Sequence, residues 1–116
     1  MLKLYGIPNC DTVKKARTWL ADHKVEFVFH DFKKQGLDES TVSNWLQQGD
    51  WEILLNRKGT TWRGLAEEVK ASVTDGQSAM RVMLDNTSVI KRPVLEKNGK
   101  LLQVGFSADA YKNITF

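Results

Sequence analysis

Leu2-Lys3-Leu4-Tyr5-Gly6-Ile7-Pro8-Asn9-Cys10-Asp11-Thr12-Val13-Lys14-Lys15-Ala16 reads as strand, sharp turn and helix. Leu2 and Leu4 alternate with Lys3 and Tyr5, the period of a strand. Gly6, Pro8 and Asn9 are turn residues. Val13, Ala16 and Leu20 then recur at helical spacing, with Trp19 beside them. Cys10 therefore stands at the N-terminal edge of the first helix. Backbone N–H groups without intrahelical partners and the positive end of the helix dipole favour a thiolate there, so its pKa is expected below the free value of about 8.5. Lys14 and Lys15, one turn on, push the same way, and Asp11 pushes against.

Beyond this helix, Val25, Phe27 and Phe29 alternate with Glu26, Val28 and His30, which predicts a second strand of about six residues and a parallel β-α-β unit over residues 2–31. A helix is expected after Asp38 as cap, with Leu37 and Val42 as a hydrophobic staple and Gly49 as its stop. Trp51 to Leu55 is apolar without a readable period, and residues 56–61 form a polar loop. Trp62 to Val69 is expected to be one helix capped by Thr61. Another helix opens at Thr74 or Asp75, with Ala79, Val82 and Met83 on its buried side. Residues 89–96 read as extended. Asn98-Gly99 marks a two-residue hairpin, because this pair takes the positive φ angles of a type I′ turn. Leu101, Leu102 and Val104 give the return strand, and Ser107 caps a short last helix.

The expected order is β-α-β, a helical insertion at about residues 37–86, then β-β-α, in one domain spanning residues 1–116. A chain of this length fits a single domain. With 41% apolar residues and four tryptophans it can bury a core without staples. One cysteine excludes an internal disulfide, and no basic, apolar and cleavage-site pattern opens the chain. No stretch approaches the roughly 20 apolar residues of a membrane span. A cytoplasmic location is the expectation. The net charge of +3 comes from scattered basic residues, which suits a small anionic ligand better than a nucleic acid duplex.

That arrangement is an α/β, thioredoxin-like fold with a mixed sheet and helices around it. Tyr5 to Ala16, Asn56-Arg57-Lys58-Gly59-Thr60-Thr61-Trp62-Arg63 and Lys91-Arg92-Pro93-Val94 together resemble the ArsC/Spx superfamily, its YffB-type branch most closely. The resemblance runs over nearly the whole chain. It implies that Pro93 is a cis proline facing the active cysteine, exposing backbone groups of residues 91–92 to an extended peptide or glutathione. It also implies that Arg92 projects near Cys10, where its planar fork can stabilise a thiolate or clamp an oxyanion. By the same resemblance Arg57 contacts the anion, as the arginine after the Leu-Leu segment does in arsenate reductases of this superfamily. Those enzymes carry a third arginine on the last hairpin strand. Here that stretch is Leu102-Gln103-Val104-Gly105-Phe106. One charge-assisted contact fewer weakens oxyanion binding by roughly 1.5–3 kcal/mol, about 10- to 150-fold, which argues against arsenate as substrate.

The expected chemistry is nucleophilic. A Cys10 thiolate can attack arsenic or one sulfur of a disulfide. The residue three positions on is Val13, so no C-x-x-C cycle is available and turnover needs an external thiol. Glutathione is the expected co-substrate, or a glutaredoxin-type protein the reductant. Asn9 is a candidate donor to the thiolate or substrate, with turn formation its alternative role. Cys10 and Arg92 are thus the catalytic candidates, and Asn9, Arg57 and Pro93 the substrate-binding ones. His23 and His30 are isolated, no cluster has metal-ligand spacing, and the tryptophans read as core. A monomer without bound cofactor is expected. Two alternatives stand beside this reductase. One is an Spx-like module that binds the C-terminal domain of the RNA polymerase α-subunit and lacks a C-x-x-C sensor. The other is a genuine arsenate reductase.

Overall fold

The structure, a computed structural model, describes residues 1–116. Its strands are β1 (Leu2–Gly6), β2 (Val28–Asp31), β3 (Val94–Lys97) and β4 (Lys100–Val104). Its helices are α1 (Asp11–Asp22), α2 (Phe32–Gln35), α3 (Glu39–Gln48), α4 (Trp51–Leu54), α5 (Thr60–Arg63), α6 (Glu67–Ala71), α7 (Gly76–Asp85) and α8 (Ala108–Lys112). Met1–Gly36 with Arg92–Phe116 form one compact unit, and Leu37–Lys91 a second.

The first unit holds the whole sheet, in the order β2-β1-β3-β4. β1 and β2 are parallel, with Leu4 opposite Phe29, and the other two pairings are antiparallel. This is the mixed sheet and thioredoxin-like order expected of the sequence. β2 is shorter than its alternation predicts. Lys3 pairs with Val28 and β1 begins at Leu2, so Val25 and Glu26 have no strand to join. Leu2, Leu4, Ala16, Leu20, Leu95 and Tyr111 pack as the core of this unit. Burial of such side chains supplies about 1.5–3 kcal/mol each, enough to hold a helix face on a sheet. At the end of β1, a Cβ on Gly6 would stand 2.8 Å from Val13 Cγ2. The bare glycine lets the strand end lie against the first turn of α1, which fixes where the Cys10 turn begins. Asn98 (φ 50°) and Gly99 (φ 84°) make the expected hairpin turn between β3 and β4. The Ser107 hydroxyl accepts from Ala110 N–H at 3.1 Å and caps α8.

In the second unit α3 packs on α7, with Val42, Trp45, Ala79 and Met83 fully buried. Asp38 stands at the cap of α3, but its side chain accepts no capping bond; its carbonyl takes Val42 N–H at 3.2 Å instead. The unreadable stretch after Gly49 is α4, capped by Asp50. Trp62 to Val69 is not one helix. Gly59, not Thr61, precedes α5, Gly64 closes it, and α6 restarts at Glu67. Nor are residues 89–96 uniformly extended. Thr87–Val89 is a 3₁₀ turn and Ile90 bridges Leu55. Pro93 has no N–H for a ladder, and β3 starts after it.

Candidate active site

The β1–α1 turn delivers Cys10 to the helix end. Cys10 N–H bonds back to Ile7 O at 3.4 Å, and Lys14 N–H bonds forward to Cys10 O at 2.9 Å. Cys10 has the extended backbone of an N-cap (φ −99°, ψ 125°). Its thiol makes no conventional capping bond to the helix, and it is half-buried. Burial pushes the thiol pKa up. Against this, the Val13 amide, the hydrogen bond and positive charge of Arg92, and the Thr12 amide all favour the thiolate, and together they hold the thiol below its ordinary value. Thr12 and Val13 are the second and third residues of α1, whose N–H groups an N-cap side chain reaches. The amide dipoles therefore orient on the sulfur even where a neutral thiol is a poor acceptor.

Arg92 and Cys10, far apart in sequence, meet in this unit. The cation that bears on the sulfur is Arg92; Lys14 and Lys15 are exposed on α1, turned to solvent. The Arg92–Pro93 peptide is cis, as the resemblance implies. Pro93 is buried, and its carbonyl accepts from Gly105 N–H at 2.8 Å. Asn9 lies exposed in the turn immediately before Cys10. Gln103, in the stretch without an arginine, donates from Nε2 to Val104 O at 3.3 Å.

Arg57 belongs to the second unit. Its Nη2 is 2.8 Å from Glu52 Oε2, and its guanidinium lies 5.5 Å from the Trp51 ring centroid. An arginine so engaged presents less of its fork to an incoming anion than the resemblance implies. Nothing in the sequence marks this pair, because a separation of five residues has no helical meaning. Neither histidine meets the sulfur. His23 stacks on Trp19 at 3.8 Å and its Nδ1 lies 2.8 Å from Trp19 O. His30 Nε2 lies 2.7 Å from Gly36 O. Of the tryptophans, Trp45 and Trp62 are core, while Trp19 and Trp51 are only half-buried and carry contacts at the surface. No helix is long and apolar enough to cross a membrane.

The site can therefore hold a thiolate against an arginine at an open helix end, with one sulfur and no partner cysteine. Solved structures share the fold that carries this site. A protein named YffB is 49% identical, with 97% of this chain and 96% of that one covered and a TM-score of 0.90. An arsenate reductase (ArsC) related protein from Brucella melitensis is 51% identical over 96% of this chain and 91% of its own, with a TM-score of 0.77. The global transcriptional regulator Spx of Streptococcus agalactiae is 28% identical over 94% of this chain and 79% of its own. The sequence profile of the ArsC family matches residues 5–114, from the strand before the cysteine to the end of the last helix, and the chain belongs to that family.

Proposed function

We propose that the chain is a glutathione-dependent monothiol reductase. The observation that carries this reading is the setting of Cys10, a half-buried thiol drawn toward its thiolate by the Val13 amide and Arg92 with no second cysteine in the chain. Written for a mixed disulfide, the Cys10 thiolate attacks the glutathione sulfur and expels the other thiol as thiolate, leaving Cys10–S–S–glutathione. A second glutathione thiolate then attacks the glutathione sulfur of that adduct. It forms glutathione disulfide and returns the Cys10 thiolate; two electrons pass from glutathione to substrate. Arg92 stabilises the thiolate before attack and again when Cys10 is the leaving group. This chemistry runs in a reducing, glutathione-containing compartment, which is the cytoplasm.

Mass spectrometry after mixing with glutathione disulfide tests it. One glutathione is expected on the native protein and none on Cys10→Ser. An unmodified native protein whose Cys10 is labelled only after denaturation overturns the reading. The likeness to Spx favours a second, regulatory reading, in which the chain binds the C-terminal domain of the RNA polymerase α-subunit. A pull-down with that domain decides it, and retention by Cys10→Ser as well as native protein would make polymerase binding independent of the thiol.

A further inference from the structure

One turn beyond Cys10, α1 carries a groove that the chemistry above does not use. It encloses about 340 Å³ and is lined by Lys14, Lys15, Thr18, Trp19, Asp22 and Phe106. Its apolar walls are held in place from beneath. The rings of Trp19 and Phe106 both stand edge-on to the fully buried Tyr111, at 5.5 and 4.7 Å between centroids. Its two lysines are exposed and take part in neither the Glu52–Arg57 nor the Glu67–Lys70 ion pair. The lysines lie at the end nearest the sulfur, and Lys14 N–H is hydrogen-bonded to Cys10 O. Asp22, a further turn along α1 from Thr18, closes the far end with negative charge.

Glutathione does not account for this surface. Its arms are charged and peptidic and offer no apolar body to cover Trp19 and Phe106. The other half of a mixed disulfide does. At 1.5 Å per residue, Lys14 lies about 6 Å along α1 from Cys10 and Trp19 about 13.5 Å. An extended chain covers those distances in about two and about four residues, at roughly 3.3–3.6 Å each. We infer that the groove receives the peptide flanking a glutathionylated cysteine, with an acidic residue about two positions from that cysteine and a large apolar residue about four positions from it. Asp22 disfavours a second acid beyond the apolar residue. This inference rests on the reading of Cys10 as the nucleophile and adds the class of substrate, an acidic-apolar protein segment.

The test is single-turnover transfer of glutathione to Cys10, followed by mass spectrometry without free glutathione. The donors are three glutathionylated peptides of equal length, Cys-x-Glu-x-Phe, Cys-x-Lys-x-Phe and Cys-x-Glu-x-Ala, with their reversed-order counterparts. In the order that fits the groove, the Phe peptide is expected to react about tenfold faster than its Ala partner, from partial burial of the ring. The Glu peptide is expected to exceed the Lys peptide about threefold, as exposed charge pairs allow. Lys14→Glu with Lys15→Glu should invert the Glu-over-Lys ratio, and Thr18→Trp, filling the groove from an exposed helix position, should bring the Phe-over-Ala ratio to one. Equal rates for all peptides in both orders, or ratios unmoved by these variants, overturn the groove while leaving the reductase standing. If neither the peptides nor the mixed disulfide of glutathione and 2-mercaptoethanol give up glutathione to Cys10, both readings fall.

Discussion

Two helices of this chain begin in opposite ways. α7 opens with a closed capping box, in which Asp75 Oδ1 accepts from Ser78 N–H at 2.9 Å and Ser78 Oγ accepts from Asp75 N–H at 3.1 Å. α1 opens with Cys10 at the same position, with suitable backbone angles and no conventional side-chain cap. The cations follow the same division. Arg57, in the unit of α7, is engaged by Glu52, whereas Arg92, in the unit of α1, faces the sulfur. At the start of α7 and at Arg57 the helix-end donor and the cation are met by carboxylates and serve stability. At the start of α1 and at Arg92 the same kinds of group are kept for a charge that appears only when the thiol ionises.

The largest break in this contrast is Cys10→Ser. The thiol chemistry is lost entirely, since a serine hydroxyl stays protonated at neutral pH. Yet the variant is expected to be more stable than the native chain by about 1 kcal/mol, because serine is a strong N-cap and the Thr12 and Val13 amides are within its reach. Chemical denaturation of the two proteins measures this. A serine variant that is less stable would mean that these amides are already satisfied and that α1 is not open at its start.

Arg92→Ala comes next. Loss of this hydrogen bond and of the charge beside the half-buried thiolate is expected to raise the Cys10 pKa. At a pH below both pKa values the thiolate fraction then falls, and the gain in nucleophilicity of each remaining thiolate offsets only about half of that loss on a logarithmic scale, so the variant is slower. At a pH above both values only the second effect remains, and the variant becomes faster. Rates with the neutral 2-hydroxyethyl disulfide across pH should therefore cross. A uniform loss at all pH values would instead mean that Arg92 only supports the fold around the turn.

How these features were written in the sequence differs by element. The β1–turn–α1 segment, the Asn98-Gly99 hairpin, the helix start at Thr74 or Asp75 and the Ser107 cap are legible, because each is decided by neighbours along the chain. α2 and α4 were not, since a four-residue helix is too short to show a period. The alternation from Val25 overstates β2, because it shows which residues can face a core and not where the neighbouring strand begins. At the site, the exposed end of the helix at Cys10 was legible. Arg92 came only through family resemblance, and the Trp19–Phe106 groove not at all, because its walls come from distant parts of the chain.

Asp75→Ala tests the other helix. The Ser78 amide, followed by its hydroxyl, holds the Asp75 carboxyl below the usual carboxylate range. A carboxyl whose pKa is depressed by folding stabilises fully above its unfolded value of about 3.9, and that stabilisation is lost as pH falls through the lower folded value. The variant is therefore expected to denature earlier than the native chain at neutral pH, with the pH-dependent part of the gap vanishing in strong acid. Cys10 reactivity should not move. A change in Cys10 titration would show that the division between the two helix ends is not a division of labour.

The smallest expected effect, Arg57→Ala, sharpens the contrast between the two arginines. The Arg57 and Glu52 side chains are 47% and 52% exposed, so water and salt screen their pair. Such a pair and a guanidinium at the outer reach of an aromatic face together contribute about 1 kcal/mol at an exposed site. Denaturation should shift by no more than that amount, and less at high ionic strength. The Cys10 thiol titration separates this from a role in the chemistry. A titration unchanged in Arg57→Ala and shifted upward in Arg92→Ala assigns the thiolate to one arginine. An upward shift in both would return Arg57 to the anion site that family resemblance gives it, with the Glu52 pair as a resting contact that an incoming anion displaces.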